Sequence, residues 1–260
     1  MKFRFPLSVL PAFSALALSL ASLGGAHAST LVNGDFAQGL NGWQAAGDAS
    51  VQGGTVLGID LGTDATLVLG NASSLFDDDA PEAAGAYNLS GNEPLLAAEP
   101  DGLEASVGLS VGAFGLDAQE GSSALQSFSV QAGEQISFDW RLLTRAGLDA
   151  TDSPDTAWLV WADGAQTQLI ALGRTDGLSG DADAAGWLDS GWQHLSFTAT
   201  VSGSVSLAFA VTDGQSFTGS SLLALRQVQA SAVPEPTSAF LALAGLASAC
   251  LMRRRRHTQT

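Results

Sequence analysis

Apolar and polar side chains alternate along much of the chain between residues 120 and 230, in short runs broken by glycine-bearing turns. Such alternation is what a strand with one buried face requires, because successive side chains point to opposite sides of a sheet. ALQSFSV (124–130) and ISFDWRLL (136–143) flank the turn-like QAGEQ and predict two antiparallel strands. TAWLVWAD (156–163) and TQLIALG (167–173) flank Asp163-Gly164 and predict a hairpin. WQHLSFTATV (192–201) and SVSLAFAVTD (204–213) flank Ser202-Gly203 and predict another, with Leu195, Phe197, Ala199 and Val201 matching Val205, Leu207, Phe209 and Val211. SSLLALRQVQA (220–230) reads as a closing strand, and residues 99–108 carry the one weak helical period in the body. Many short strands at this spacing predict an all-β sandwich.

The two ends are patterned differently. At the start, Lys2 and Arg4 precede an apolar stretch that closes on Ala26-His27-Ala28, which predicts a cleavable secretory signal peptide over residues 1–28 with cleavage after Ala28. At the other end, Pro234-Glu235-Pro236 is followed by the uncharged run 237–252 and then by Arg253, Arg254, Arg255 and Arg256. Both prolines lack an amide proton and push the residue before them away from helix, so they mark an extended joint. The apolar run falls just below the ~17–25 residues that ordinarily cross a bilayer, and it predicts a short transmembrane helix. Basic residues beside a span stay on the cytoplasmic side, which places the body outside. Residues 29–232 then form a single β domain, and 233–260 an export tail.

Charge narrows the partners. The body between the two processed ends holds four arginines, Arg141, Arg145, Arg174 and Arg226, against 25 acidic residues, a net charge of −21. That field repels nucleic acid and anionic lipid and excludes them as partners. The chain's one cysteine, Cys250, lies in the tail, so no disulfide staples the body despite its export.

The joint, the apolar run and the terminal arginine cluster together resemble the PEP-CTERM sorting signal of Gram-negative bacteria. The resemblance implies an exosortase-type processing enzyme as partner, a transient stay in the inner membrane through the C-terminal helix, and final residence at the cell surface or in the extracellular matrix. LVNGDFAQGLNGWQ (31–44) is similar to the first strand and following turn of jelly-roll carbohydrate-binding modules. The segments around 121–144 and 191–229 look like the body of PEP-CTERM proteins with that sandwich, although Leu225-Arg226-Gln227-Val228 stands where those proteins often carry Asp-Asn-Val. A jelly-roll-like β-sandwich that associates with extracellular polysaccharide is what this resemblance implies.

Little in the body suggests catalysis. His194 is its single histidine and falls out of phase with Leu195 and Phe197, which places it on a solvent face. No G-x-S-x-G elbow exists, and one histidine without cysteine cannot complete a zinc site. Carboxylates are so numerous that spacing singles out no glycosidase pair; Asp139, inside a strand, reads as a polar-face residue. Calcium suits oxygen-rich loops better. Asp181, Asp183 and Asp189 lie on the glycine-containing loop 176–189, and 76–82 is a second acidic loop. The first departs from the EF-hand pattern, with Ala185 at a ligand position and Trp192 where the bidentate glutamate belongs. By the module resemblance, Asp35 lies near a structural calcium.

Six tryptophans supply the flat faces on which pyranose rings stack. Trp158 and Trp161 have opposite parity in one strand, so one of them points away from the core; with Trp187, beside the acidic loop, they are the candidate glycan contacts. Trp43, Trp140 and Trp192 read as core or edge-sealing residues. The expected protein is a non-enzymatic matrix or surface protein with no obligatory cofactor. A polysaccharide-active enzyme and a structural biofilm or coat protein without a small ligand are the alternatives.

Overall fold

The computed structural model describes residues 31–75, 79–80, 82–145, 153–164, 166–179, 181–214 and 219–231. The expected signal peptide with Ala26 and Ala28, and the expected tail with Pro234, Glu235, Pro236 and Arg253 to Arg256, lie outside the described residues. So does much of the acidic loop 76–82.

Between these limits the chain forms short strands, one α-helical turn and a 3-10 turn at Thr175–Gly177. The first half contains β1 (Gln44–Ala46), β2 (Asp48–Gln52), β3 (Thr55–Val56), β4 (Ile59–Asp60), β5 (Thr66–Gly70), β6 (Leu95–Leu96) and α1 (Leu103–Ser106). The second half contains the long strands β7 (Glu120–Val130), β8 (Gln135–Thr144), β9 (Thr156–Ala162) and β10 (Thr167–Arg174). After them come β11 (Leu188–Asp189), β12 (Gln193–Thr198), β13 (Gly203–Thr212) and β14 (Ser221–Ser231). Two antiparallel sheets face each other. One runs β1-β7-β13-β9-β10, with β6 also against β7; the other runs β11-β8-β14-β5-β2, with β12 also against β8. The architecture is the all-β sandwich that the alternation predicts.

Pairing corrects two of the expected neighbours. The β9–β10 hairpin forms as read, from Thr167 opposite Ala162 to Arg174 opposite Thr156. In contrast, β7 and β8 lie in opposite sheets, and so do β12 and β13. The turns between them carry the chain across the sandwich instead of back along one sheet. They lock to each other, because the Gly133 amide donates to the Ala199 carbonyl at 2.8 Å and the Ala199 amide donates to the Glu134 carbonyl at 2.8 Å. Leu195, Phe197, Ala199 and Val201 meet Val205, Leu207, Phe209 and Val211 across the core, not side by side. Alternation specifies which side chains turn inward, and a hairpin and a sheet-to-sheet crossing share that pattern.

The segment 31–43 holds no strand, a further correction: it is a succession of turns organised by Asn33. The Asn33 side-chain amide donates to the carbonyls of Gly39 and Asn41, both at 2.8 Å, and its Oδ1 accepts from the Gln38 amide at 3.0 Å. This arrangement inserts Phe36 and Trp43 into the core with ring centroids 5.3 Å apart. Gly34 is required there, since a Cβ would stand 1.9 Å from the Val228 carbonyl oxygen of β14. The asparagine-glycine-phenylalanine-tryptophan pattern therefore has a packing explanation. Val228 lies within a register shift between Arg226 and Gln229, where Gln227 adopts a left-handed φ of 53°.

Both outer faces of the sandwich are partly roofed. Leu103 and Val107 of the α1 region, with Phe114, pack on Val160, Ala208 and Ala210 outside the first sheet. The hairpin β3–β4, with Tyr87 and Trp187, packs on Val68, Leu143, Leu222 and Ala224 outside the second. Roofing explains the continuous apolar runs of β5, of β13 from Leu207 to Val211 and of β14 from Leu222 to Leu225, whose residues are buried on both faces. α1 lies inside the weakly helical stretch 99–108.

Candidate functional site

One end of the sandwich is tied by a buried polar network. Asn71, just after β5, donates through Nδ2 to Asp155 Oδ2 at 3.1 Å and to Asp213 Oδ1 at 3.4 Å. Its Oδ1 accepts from the Ser221 amide at 2.6 Å. Asp155 also accepts from Ser221 Oγ at 2.5 Å and, through Oδ1, from the Gly214 amide at 2.9 Å. Ser221 Oγ lies 2.8 Å from Thr144 Oγ1 at the end of β8. The network thus joins both sheets through the residues that leave β5, β8 and β13 and those that enter β9 and β14. Burial raises the Asp155 pKa above the usual aspartate value, against the lowering effect of its hydrogen bonds from Ser221, Gly214, Asn71 and Asp213.

A raised native pKa means that Asp155 holds its proton more tightly folded than unfolded, so its stabilisation is complete below the ordinary aspartate range and fades as pH rises through the raised value. Asp48, also raised mainly by burial, acts with the same sign. Asp189 acts oppositely: burial alone would raise it, but hydrogen bonds from Arg141 and Gly191 and the Arg141 charge bring it below the usual value. We expect the urea midpoint of the native chain to fall more steeply with rising pH than that of Asp155→Asn. Parallel curves would remove Asp155 from the pH response.

Above this network lies a cleft of about 140 Å³ lined by Asp117, Thr156, Trp158, Arg174, Asp213 and Gly214, among others. Trp158 is the candidate glycan contact that reaches it. β9 directs Leu159 and Trp161 into the main core and Trp158 to the outer face, as their parity requires. The half-buried indole donates through Nε1 to Thr212 Oγ1 at 2.9 Å, and its ring lies 5.4 Å from that of Phe114 at 39°. Arg174 sits at the rim in an exposed ion pair with Asp176 at 3.0 Å. The cleft therefore combines an oriented aromatic ring with carboxylate, guanidinium and hydroxyl groups, a combination suited to a hydroxyl-rich ligand. Phe114, Asp117 and Arg174 escaped the sequence reading. Phe114 and Asp117 lie in a glycine-rich loop without periodicity, and Arg174 is a lone charge at a strand end.

The other candidate glycan tryptophans are corrected by their burial. Trp161 is 4% exposed, wedged against Phe128 and Phe197, and Trp187 is 1% exposed, its Nε1 bonded to the Leu57 carbonyl at 3.2 Å. Neither presents a ring face to a glycan. Of the tryptophans read as structural, Trp43 is in the core, Trp140 packs against it, and Trp192 is covered by Arg226, whose Cζ lies 4.0 Å from the ring centroid.

The candidate metal ligands are dispersed. Asp189 forms a two-bond pair with Arg141, at 2.9 and 2.5 Å. Asp183 Oδ1 accepts from the amides of Ala185 at 2.8 Å and Trp187 at 2.9 Å and so shapes its own turn. Asp181 is exposed, and Asp35 accepts from the Ala37 amide at 3.2 Å. Among the described residues no group of 3 or more His, Cys, Asp or Glu side chains is placed to hold a metal ion. His194 is exposed, as its phase predicts, with Nδ1 2.8 Å from Asp139 Oδ1; Asp139 also meets Arg226 at 3.4 Å on the polar outer face of the second sheet.

Residues 232–256 match the PEP-CTERM protein-sorting motif. The chain thus ends in a signal of the PEP-CTERM class, which marks proteins for export and surface sorting. No curated protein matches the sequence. Among solved structures, the chain is similar to TmCBM61 in complex with beta-1,4-galactotriose, at 10% identity and TM-score 0.38 over 78% of this chain and 97% of that one. It is similar to CBM28, a non-crystalline cellulose specific carbohydrate-binding module, at 12% identity and TM-score 0.38 over 78% and 95%. It is also similar to the K3 adhesin domain of Lys-gingipain from Porphyromonas gingivalis W83, at 9% identity and TM-score 0.35 over 79% and 100%.

Proposed function

We propose that this is a non-catalytic protein of the surface or extracellular matrix of a Gram-negative cell. It passes through an inner-membrane intermediate, is processed by an exosortase-type enzyme, and then associates with extracellular polysaccharide through the cleft at Trp158. The observation that carries this reading is the placement of the two functional ends. β14 runs for 11 residues, roughly 33 Å at ~3.3 Å per residue, from the buried network beneath the cleft at Ser221 to the exit of the chain at Ser231. The sorting motif begins directly after that exit. A sandwich held to a membrane by its tail would present the cleft outward, and a trimmed one would keep the cleft intact.

Two measurements test this. Intact mass of the protein from the native host should show loss of the segment beyond Pro234-Glu235-Pro236 in the presence of the exosortase and retention of the complete tail without it. The trimmed body should bind one or more neutral polysaccharides on a glycan array, and Trp158→Ala should weaken that binding at least about tenfold in protein that keeps the far-UV circular dichroism of the native sandwich. A retained tail in both strains rejects the sorting half, and an array without signal above background rejects the glycan half.

A further inference from the structure

β10 ends the first sheet, and among the described residues no strand lies on its outer side. The register shows which of its backbone groups are left over. The Asp163 amide donates to the Gln166 carbonyl at 3.1 Å, and from that bonded pair bonded and non-bonded pairs alternate along the hairpin. Gln168 and Ile170, opposite Trp161 and Leu159, therefore bond to β9, while Thr167, Leu169 and Ala171 turn their amides and carbonyls outward. Sheet edges are ordinarily blunted by lysine, proline, bulges or a covering segment. Here residues 167–171 contain neither lysine nor proline, and the one register shift falls beyond them, between Ala171 and Gly173. The stretch is also apolar on both faces. Leu169 packs with Val160 and Trp158 on the outer face, and Ile170, 39% exposed, walls an inner groove of about 360 Å³ with Leu195 and Phe197 of β12.

We propose that this edge pairs with β10 of a second copy, antiparallel across a twofold axis at Leu169. In that register Leu169 faces Leu169 of the second copy, and Thr167 and Ala171 face each other in both directions. Every backbone group that β10 turns outward between 167 and 171 then has a partner, and the first sheets of the two copies become one continuous sheet. On the inner face Gln168 of each copy lies over Ile170 of the other, so one contact closes both grooves, as an isologous interface requires. Charge selects a copy of this chain at this place. The chain carries 26 Asp and Glu against 10 Lys and Arg, yet Thr167–Arg174 and Gln193–Thr198, the two strands that flank the groove, contain no acidic residue. Repulsion between copies is therefore weakest here. The same register carries Arg174 toward the Asp163-Gly164 turn of the second copy, which brings opposite charges together at both ends of the pair. The pairing goes beyond the glycan reading and holds whether or not the Trp158 cleft binds a polysaccharide.

The test is a cross-link at the axis. Leu169→Cys is placed in the full chain carrying Cys250→Ser, produced in the native host and treated with the short linker bismaleimidoethane. A second sample carries the cysteine at Leu116, which is 92% exposed and lies away from β10. The expected result is a dimer whose cross-linked peptide joins position 169 to position 169, at a yield at least about tenfold above that from position 116. Adding Ala171→Pro removes an outward amide proton and no bond to β9, so it should lower the yield at least about tenfold in protein that keeps the native far-UV circular dichroism. A yield from position 169 no higher than that from position 116 would overturn the proposal. So would a cross-link that survives Ala171→Pro, or one that joins position 169 to a different protein.

Discussion

Phe209→Ala should lower the unfolding free energy by about 3–5 kcal/mol, the usual cost of emptying an aromatic site in a close-packed core. Phe209 is completely buried in β13, at the meeting point of both sheets. It stands edge-on to Phe138 of β8 at 4.8 Å and 74°, and tilted against Trp43 at 6.1 Å. Its removal therefore opens a cavity bounded by the two sheets and the N-terminal turns at once. No single one of these elements can collapse into the gap without pulling on the others. Since domains of this kind have ~5–15 kcal/mol in reserve, the loss takes a large share of the margin. Urea denaturation of the residues 29–231 body measures it; a change below about 1 kcal/mol would show that the sandwich repacks around the gap.

Asp155→Ala should be comparably severe for an electrostatic reason. The substitution leaves the buried Gly214 amide without its acceptor and takes from the Ser221 hydroxyl and the Asn71 amide their shared acceptor Oδ2, leaving them only Thr144 Oγ1 and Asp213 Oδ1. Each buried donor deprived of its partner costs about 1–3 kcal/mol. Asp155→Asn keeps one acceptor oxygen and should be milder than Asp155→Ala by at least about 1 kcal/mol. Because Gly214 lines the Trp158 cleft, Asp155→Ala should also loosen that end, seen as faster amide exchange at Thr212 and Asp213 than at Val205 and Leu207 of the same strand. Equal stability of the two variants would mean that the network contributes little beyond filling space.

Class of fold and cellular destination were legible in the residues themselves, because both rest on local patterns. Alternation in 156–173 and 204–213 reports strands with a buried face, and a closing strand over 220–230 is visible as an apolar run. A proline-fenced glutamate, an uncharged run and four arginines follow one another in sequence, so no folding is needed to read them. Which strand lies beside which was a different matter. The turns at 131–134 and 199–202 carry the chain to the opposite sheet, a choice made by closing the core over Phe138 and Phe209 and not by the turn residues alone.

The same division holds at the candidate site. Parity along β9 separated Trp158 from Trp161, but it could not say that Trp187 is sealed beneath the β3–β4 hairpin by Tyr87, or that Asp189 is held by Arg141. Nor could it bring Phe114, Arg174 and Asp213, far apart along the chain, to the rim of one cleft. The sequence by itself determined what is written locally or by composition: strand faces, the sorting motif at 232–256 and the acidic balance of the chain. Tertiary structure alone decided everything that depends on contacts between distant segments, because burial and hydrogen-bond partners are set by what folds over a residue, which its neighbours in the chain do not encode.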